Sequence, residues 1–127
     1  MTVFARLVAV NAVMTELRLD WNKIGDQGAA AIAEALKVNA DLKTLGLHGN
    51  KIGDAGAIAI AESLKGNAVL TKLVLGSNKI GDQGAAAIAE ALKVNADLKL
   101  EKLFVPTRIV KNPQLIAACR EKGVKLE

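Results

Sequence analysis

The chain has 127 residues, enough for one domain, and is 51% hydrophobic but only 2% aromatic, so its core must be built from Ala, Leu, Ile and Val. The net charge of +4 is uneven: residues 1–99 carry 11 Lys and Arg against 10 Asp and Glu, whereas residues 100–127 carry 6 against 3. A near-neutral body without Tyr argues against nucleic acid, no apolar run is long enough for a membrane span, and the single Cys119 excludes an internal disulfide and fits a reducing, cytoplasmic setting.

The chain opens on MTVFARLVAV, where Arg6 interrupts the apolar run and argues against a secretion signal. ARLVAVNAVMTEL aligns with AEALKVNADLKTL one period later, so residues 1–14 read as a partial repeat helix within a single domain spanning 1–127. Either this helix covers its own end of the stack, or Val3, Phe4, Leu7 and Val8 form an apolar patch. A second copy would then cover that patch in a homodimer through the N-terminal ends.

From Asn22 to Lys43 runs NKIGDQGAAAIAEALKVNADLK, which returns letter for letter from Asn78 to Lys99, with a near-copy from Asn50 to Lys72 between them. Asn22, Asn50 and Asn78 are 28 residues apart, and a fixed period of that length marks a solenoid. In LKTLGLHGN the apolar residues Leu45 and Leu47 alternate with outward positions, as in a short strand. In DAGAIAIAESLK, Ala57, Ile60, Ala61 and Leu64 follow helical spacing. Residues 15–99 are therefore three repeats of one strand and one helix. Gly25, Gly53 and Gly81 supply the turn, and Asp26, Asp54 and Asp82 are expected to cap the helices that begin there. Asn39, Asn67 and Asn95 are expected to be left-handed residues ending the helices. Glu34 with Lys37, Glu62 with Lys65 and Glu90 with Lys93 read as outward ion pairs.

After Lys99 the period breaks, and LKLEKLFVPTR fits the strand only with two extra residues, which put Arg108 where the Asn should stand. KNPQLIAACREKG reads as a closing helix with Asn112 as N-cap, Pro113 at its first position and Gly123 beyond its end. Residues 100–127 are thus a terminal strand and cap helix. Cys119 shares an apolar face with Leu115 and Ile116 and reads as an inert buried thiol.

The pattern LxxLxLxxNxIGDxGAxxIAExL, carried by Leu42, Leu45, Leu47, Asn50 and Ile52 in the second unit, resembles the leucine-rich repeat of the ribonuclease-inhibitor-like subfamily. Asn at every ladder position, rather than alternating Asn and Cys, makes it more similar to the repeats of NOD-like receptors and the Ran GTPase-activating protein. The resemblance implies an α/β, right-handed solenoid with about four parallel strands on the concave face and helices on the convex face. It also implies a structural ladder of buried amides at Asn22, Asn50 and Asn78.

The helical halves repeat almost verbatim, whereas outward positions of the strand half change from unit to unit. That contrast nominates a concave face around Arg18, Asp20, Trp21, His48, Lys72, Val74 and Phe104 as the binding surface for a protein or peptide. Trp21 leads because Trp and Arg are the usual interface anchors, although it can equally pack on the next turn near Gly49. His48 stands without a second His or Cys at metal spacing and reads as a solvated residue. No catalytic, metal or cofactor site is expected: GDQG lacks a following Gly-Lys-Ser/Thr, and the repeated carboxylates are explained by capping and helix surface. The alternative to a binding module is a self-associating scaffold repeat, natural or consensus-built, without a specific ligand of its own.

Overall fold

In a computed structural model, described here over residues 14–127, strands and helices alternate along the chain. The order is β1 (Glu16–Arg18), α1 (Gly25–Val38), β2 (Thr44–Gly46), α2 (Asp54–Leu64), β3 (Lys72–Val74), α3 (Asp82–Val94), β4 (Lys102–Phe104), α4 (Pro113–Lys122) and β5 (Lys125–Leu126). All five strands lie in one parallel sheet in the order β1-β2-β3-β4-β5, so each helix is the crossover between neighbouring strands. The fold is an α/β leucine-rich-repeat solenoid. Repetition of sequence produces it directly: Leu17, Leu45, Leu73 and Leu103 stack as register partners and point into the core.

Behind that column, Ile32, Ile60 and Ile88 are buried on the helices, and Ala29, Ala57 and Ala85 are fully buried, with Ala29 and Ala57 against Gly56 and Gly84 of the next helix. Small side chains there allow close approach, which explains how a core with so few aromatics packs. The pairing of Lys72 with Lys102 shows the register advancing by 30 residues, where the earlier pair Thr44 with Lys72 advances by 28. The two extra residues read from the sequence are therefore accommodated between α3 and β4.

Three features differ from the sequence reading. A fifth strand joins the expected four, because the Gly123 turn (φ 72°) sends the chain back alongside β4, where Lys125 N–H donates to Glu101 O and Glu127 N–H to Leu103 O. The Asp series does not cap its own helices. Asp54 is the first helical residue and so stands one place too late to reach its own first turn. Its Oδ1 accepts instead from Gly81 N and Gly84 N of the next repeat, at 2.7 and 2.9 Å, and Asp26 does the same for Gly53 and Gly56. Among the described residues Asp82 accepts only from the Asn112 side-chain amide.

Nor are Asn39 and Asn95 left-handed; both are extended, at φ −85° and −82°. With Asn67 they form a second row of buried amides. Asn95 Nδ2 donates to Leu64 O, the last carbonyl of α2, at 2.6 Å and to Asn67 O at 2.8 Å, while Asn67 Oδ1 accepts from Val69 N and Leu70 N. A buried helix end must satisfy its orphan carbonyls, and here the next turn supplies the donor. Of the outward pairs, Glu34–Lys37 and Glu62–Lys65 close to 3.0 and 2.9 Å, whereas Glu90 and Lys93 form no ion pair among the described residues.

Candidate functional site on the strand face

Parallel pairing sets the outward side chains in rows across the sheet. One row runs Glu16, Thr44, Lys72, Lys102, and the next Arg18, Gly46, Val74, Phe104. Because the register is locked by the buried Leu column, each outward residue stands beside its equivalent from the neighbouring turn. Within these rows the Lys72 ammonium sits 5.4 Å from the Phe104 ring centroid, a cation–π contact, and Arg18 is ion-paired to Glu16 on its own strand. Val74 is half-buried between Gly46 and Phe104.

Beyond the strands, Asp20 Oδ1 accepts from His48 N at 3.2 Å, which ties the first loop to the second. His48 leans towards Gly76, where a Cβ would lie 2.8 Å from its Nδ1. Trp21 and His48 meet edge to face, with centroids 5.1 Å apart and an interplanar angle of 77°. The indole also covers Gly49, where a Cβ would fall 2.3 Å from a ring carbon, yet it remains 69% exposed. Trp21 thus both packs on the next turn and presents most of its ring to solvent.

The two ends of the candidate surface are held differently. Asn50 and Asn78 are buried, and each Oδ1 accepts two backbone N–H groups of the preceding turn: Asn22 and Ile24 onto Asn50, Asn50 and Ile52 onto Asn78. Asn22 is exposed, and its amide donates to Leu19 O and Asp20 O of its own turn. Val3, Phe4, Leu7 and Val8 lie outside the described residues.

The structure brings Arg18, Asp20, Trp21, His48, Lys72, Val74 and Phe104 onto one side of the molecule, in two groups. Arg18, Asp20, Trp21 and His48 cluster on the first two turns, whereas Lys72, Val74 and Phe104 sit on the third and fourth. Sequence reasoning missed a neighbouring set, Lys23, Lys51 and Lys79, which with Trp21, Gly49 and Ser77 lines a cleft of about 250 Å³. The signal was present as the Lys following each ladder Asn.

Among the described residues no group of three or more His, Cys, Asp or Glu could hold a metal ion, and no helix is long and apolar enough to cross a membrane. Cys119 is buried in the cap helix, and desolvation raises its thiol from 9.0 to about 11, so near neutral pH it stays protonated.

No curated protein matches the chain. Among solved structures, it is similar to leiomodin-1 actin-binding site 2, at 25% identity and a TM-score of 0.82, covering 100% of this chain and 80% of that one. A family model described as "Leucine Rich repeat" matches three times, at residues 10–33, 38–61 and 66–89, more than half of the chain. The chain belongs to the leucine-rich repeat family.

Proposed function

We propose that this chain is a protein–protein interaction module that binds a protein or peptide on its concave strand face. Leucine-rich repeats generally mediate protein–protein contacts, and a structural neighbour is named as an actin-binding site. The observation that carries the reading is the cluster on the first two turns: a 69% exposed indole braced by His48, beside Asp20 and Arg18, on a rigid parallel sheet. Exposed Trp held in place by packing suits an anchor, because little conformational entropy is lost when it is covered.

The 28-residue unit with Asn at every ladder position supports placement in the ribonuclease-inhibitor-like subfamily, and the single reduced cysteine supports a cytoplasmic setting. The varied outward rows through Glu16 and Arg18 favour binding over catalysis, and with one Trp and near-neutral repeats they favour a protein over nucleic acid. The competing reading, a homodimer through Val3, Phe4, Leu7 and Val8, is separable by light scattering on Phe4→Asp, which should dissociate a dimer without affecting concave-face binding.

The test begins with purified actin and extends to proteins captured from the source cell. Trp21→Ala and Arg18→Ala together should weaken a specific partner at least tenfold, as for loss of an anchor worth about 2 kcal/mol. A partner retained equally by wild type and the double variant rules out the concave-face reading.

A further inference from the structure

Lys23, Lys51 and Lys79 follow the three ladder asparagines on the loops that leave the strands, and all three are exposed. Equivalent backbone positions of neighbouring turns lie about 5 Å apart, so the three lysines leave the backbone within about 10 Å of one another, close to the screening length of physiological salt. None of them has an ion-pair partner among the described residues. Of the carboxylates three residues away, those of Asp26 and Asp54 are directed into backbone N–H groups of the next helix, Asp20 accepts from His48 N, and Asp82 accepts from the Asn112 side-chain amide. On the helix face Lys37 and Lys65 are each paired with a Glu, whereas Lys93 forms no ion pair among the described residues.

Two further observations single out this edge. Lys23 and Lys51 have φ of 52° and 58°, and Trp21 and Ser77, which line the same cleft, have φ of 61° and 52°. Left-handed backbone disfavours residues other than Gly, Asn and Asp, so the turns at Lys23 and Lys51 hold long cations where Gly or Asn would be less strained. The cleft itself is walled at one end by the Trp21 indole and floored by Gly49 and Ser77, which leaves room for one large side chain beside a line of positive charge.

We infer that the edge formed by Lys23, Lys51 and Lys79 is a second docking surface, and that its occupant is an extended acidic peptide segment. Successive carboxylates of such a segment would track the lysine row, and one apolar side chain would seat against Trp21. Charge complementarity selects an anion, because uncompensated like charges are relieved only by one. A peptide is favoured over single-stranded nucleic acid because the row offers compact ammonium groups and a single aromatic, without the run of stacking rings that successive bases use. This inference shares Trp21 with the concave-face reading but is tested apart from it, since the lysines lie on the loop edge and their replacement leaves Trp21 and Arg18 intact.

The experiment titrates the protein with a short peptide alternating Glu and Ser around one central Phe, following the fluorescence of Trp21, the sole Trp. Controls are the Gln-for-Glu version of the peptide and a single-stranded oligonucleotide of equal length. The acidic peptide should bind, weaken steeply with added salt, and lose at least tenfold in affinity in the triple variant Lys23→Ala, Lys51→Ala, Lys79→Ala. The double variant Lys37→Ala, Lys65→Ala should bind as wild type does, and circular dichroism confirms that both variants are folded. The inference is overturned if the Gln peptide binds equally well, if the triple variant retains affinity, or if the oligonucleotide binds more tightly than the acidic peptide. Because the triple variant keeps the anchors of the strand face, a partner lost only on Trp21→Ala with Arg18→Ala belongs to that other surface.

Discussion

The Oδ1 of Asp54 accepts a hydrogen bond from the backbone N–H of Gly84, 2.9 Å away in space and 30 residues later in the chain. A Cβ on Gly84 would fall 2.9 Å from that oxygen and 2.5 Å from Ile80 Cγ2, so the contact also requires glycine there. Asp54 serves as N-cap for α3, where the N-cap residue Gly81 has no side chain to do so. Asp54→Ala should therefore destabilise the protein by about 1 to 2 kcal/mol, as for loss of an N-cap, and Asp54→Asn by less. Asp82→Ala removes only an exposed contact with Asn112 and should stay within about 0.5 kcal/mol of wild type. Urea denaturation with an unchanged m-value reads both. Equal losses at Asp54 and Asp82 would contradict capping between repeats.

Asn78 carries the densest set of contacts in its row. Its Oδ1 accepts from Asn50 N and Ile52 N, and its Nδ2 donates towards Leu47 O, Leu75 O and Gly76 O. Asn78→Ala leaves several buried backbone groups without partners, at about 1 to 3 kcal/mol each before relaxation, so a total loss of about 3 to 5 kcal/mol is expected. Asn22, exposed and with its side chain bonded only within its own turn among the described residues, should tolerate the same change with a loss of about 1 kcal/mol or less. Thermal unfolding of the two variants side by side provides the comparison.

Asn95 separates two accounts of the helix end. A left-handed C-cap would accept glycine at no cost or with a gain. In the structure Asn95 is extended and its amide holds Leu64 O and Asn67 O, so Asn95→Gly should destabilise by about 2 to 3 kcal/mol. Amide hydrogen exchange should also quicken at the end of α2, which lies a repeat away from the substitution. A neutral or stabilising outcome would restore the C-cap account.

Cys119 makes a pH prediction with a definite sign. Burial raises its folded-state thiol from 9.0 to about 11, so the folded chain keeps a proton that the unfolded chain has released. The associated stability is fully present below pH 9 and is lost as the pH rises towards 11. Relative to Cys119→Ala, the wild type should lose up to about 1.4 kcal/mol per pH unit across that window. A thiol reagent at pH 8 should modify the native protein far more slowly than the urea-unfolded chain. Parallel stability profiles for wild type and Cys119→Ala would show that the thiol ionises freely in the fold.

Much of the strand face was legible before any coordinates. The 28-residue period and the buried Leu positions determine which residues become register partners, and the rows through Arg18 and through Glu16 follow from counting alone. That Trp21 packs on Gly49 and yet stays mostly exposed was not legible, because it depends on the left-handed turn at that residue and on the absence of a Cβ at Gly49. The return of residues 125–126 as a fifth strand was likewise hidden. Two residues carry too little periodicity to read as a strand, and only the exposed edge of β4 gives them a partner.

By itself the sequence determined the alternation of strand and helix, the number of repeats, the inward Leu, Ile and Ala set and the closing helix with Asn112 and Gly123 at its ends. The number of repeats follows from the 28-residue period, and the other features are local, since each depends on residues a few places apart and on periodicities of two or about four. Only the tertiary structure decided where the repeated polar residues make their bonds. Asp26 and Asp54 were legible as capping residues and Asn67 and Asn95 as helix-end residues, but the helix ends they serve belong to neighbouring repeats. The physical reason is that stacking brings each buried helix terminus closer to the adjacent turn than to its own flanking side chains. The orphan N–H groups of α2 and α3 and the last carbonyls of α1 and α2 are then satisfied from the neighbouring turn, whereas α4 is capped by its own Asn112.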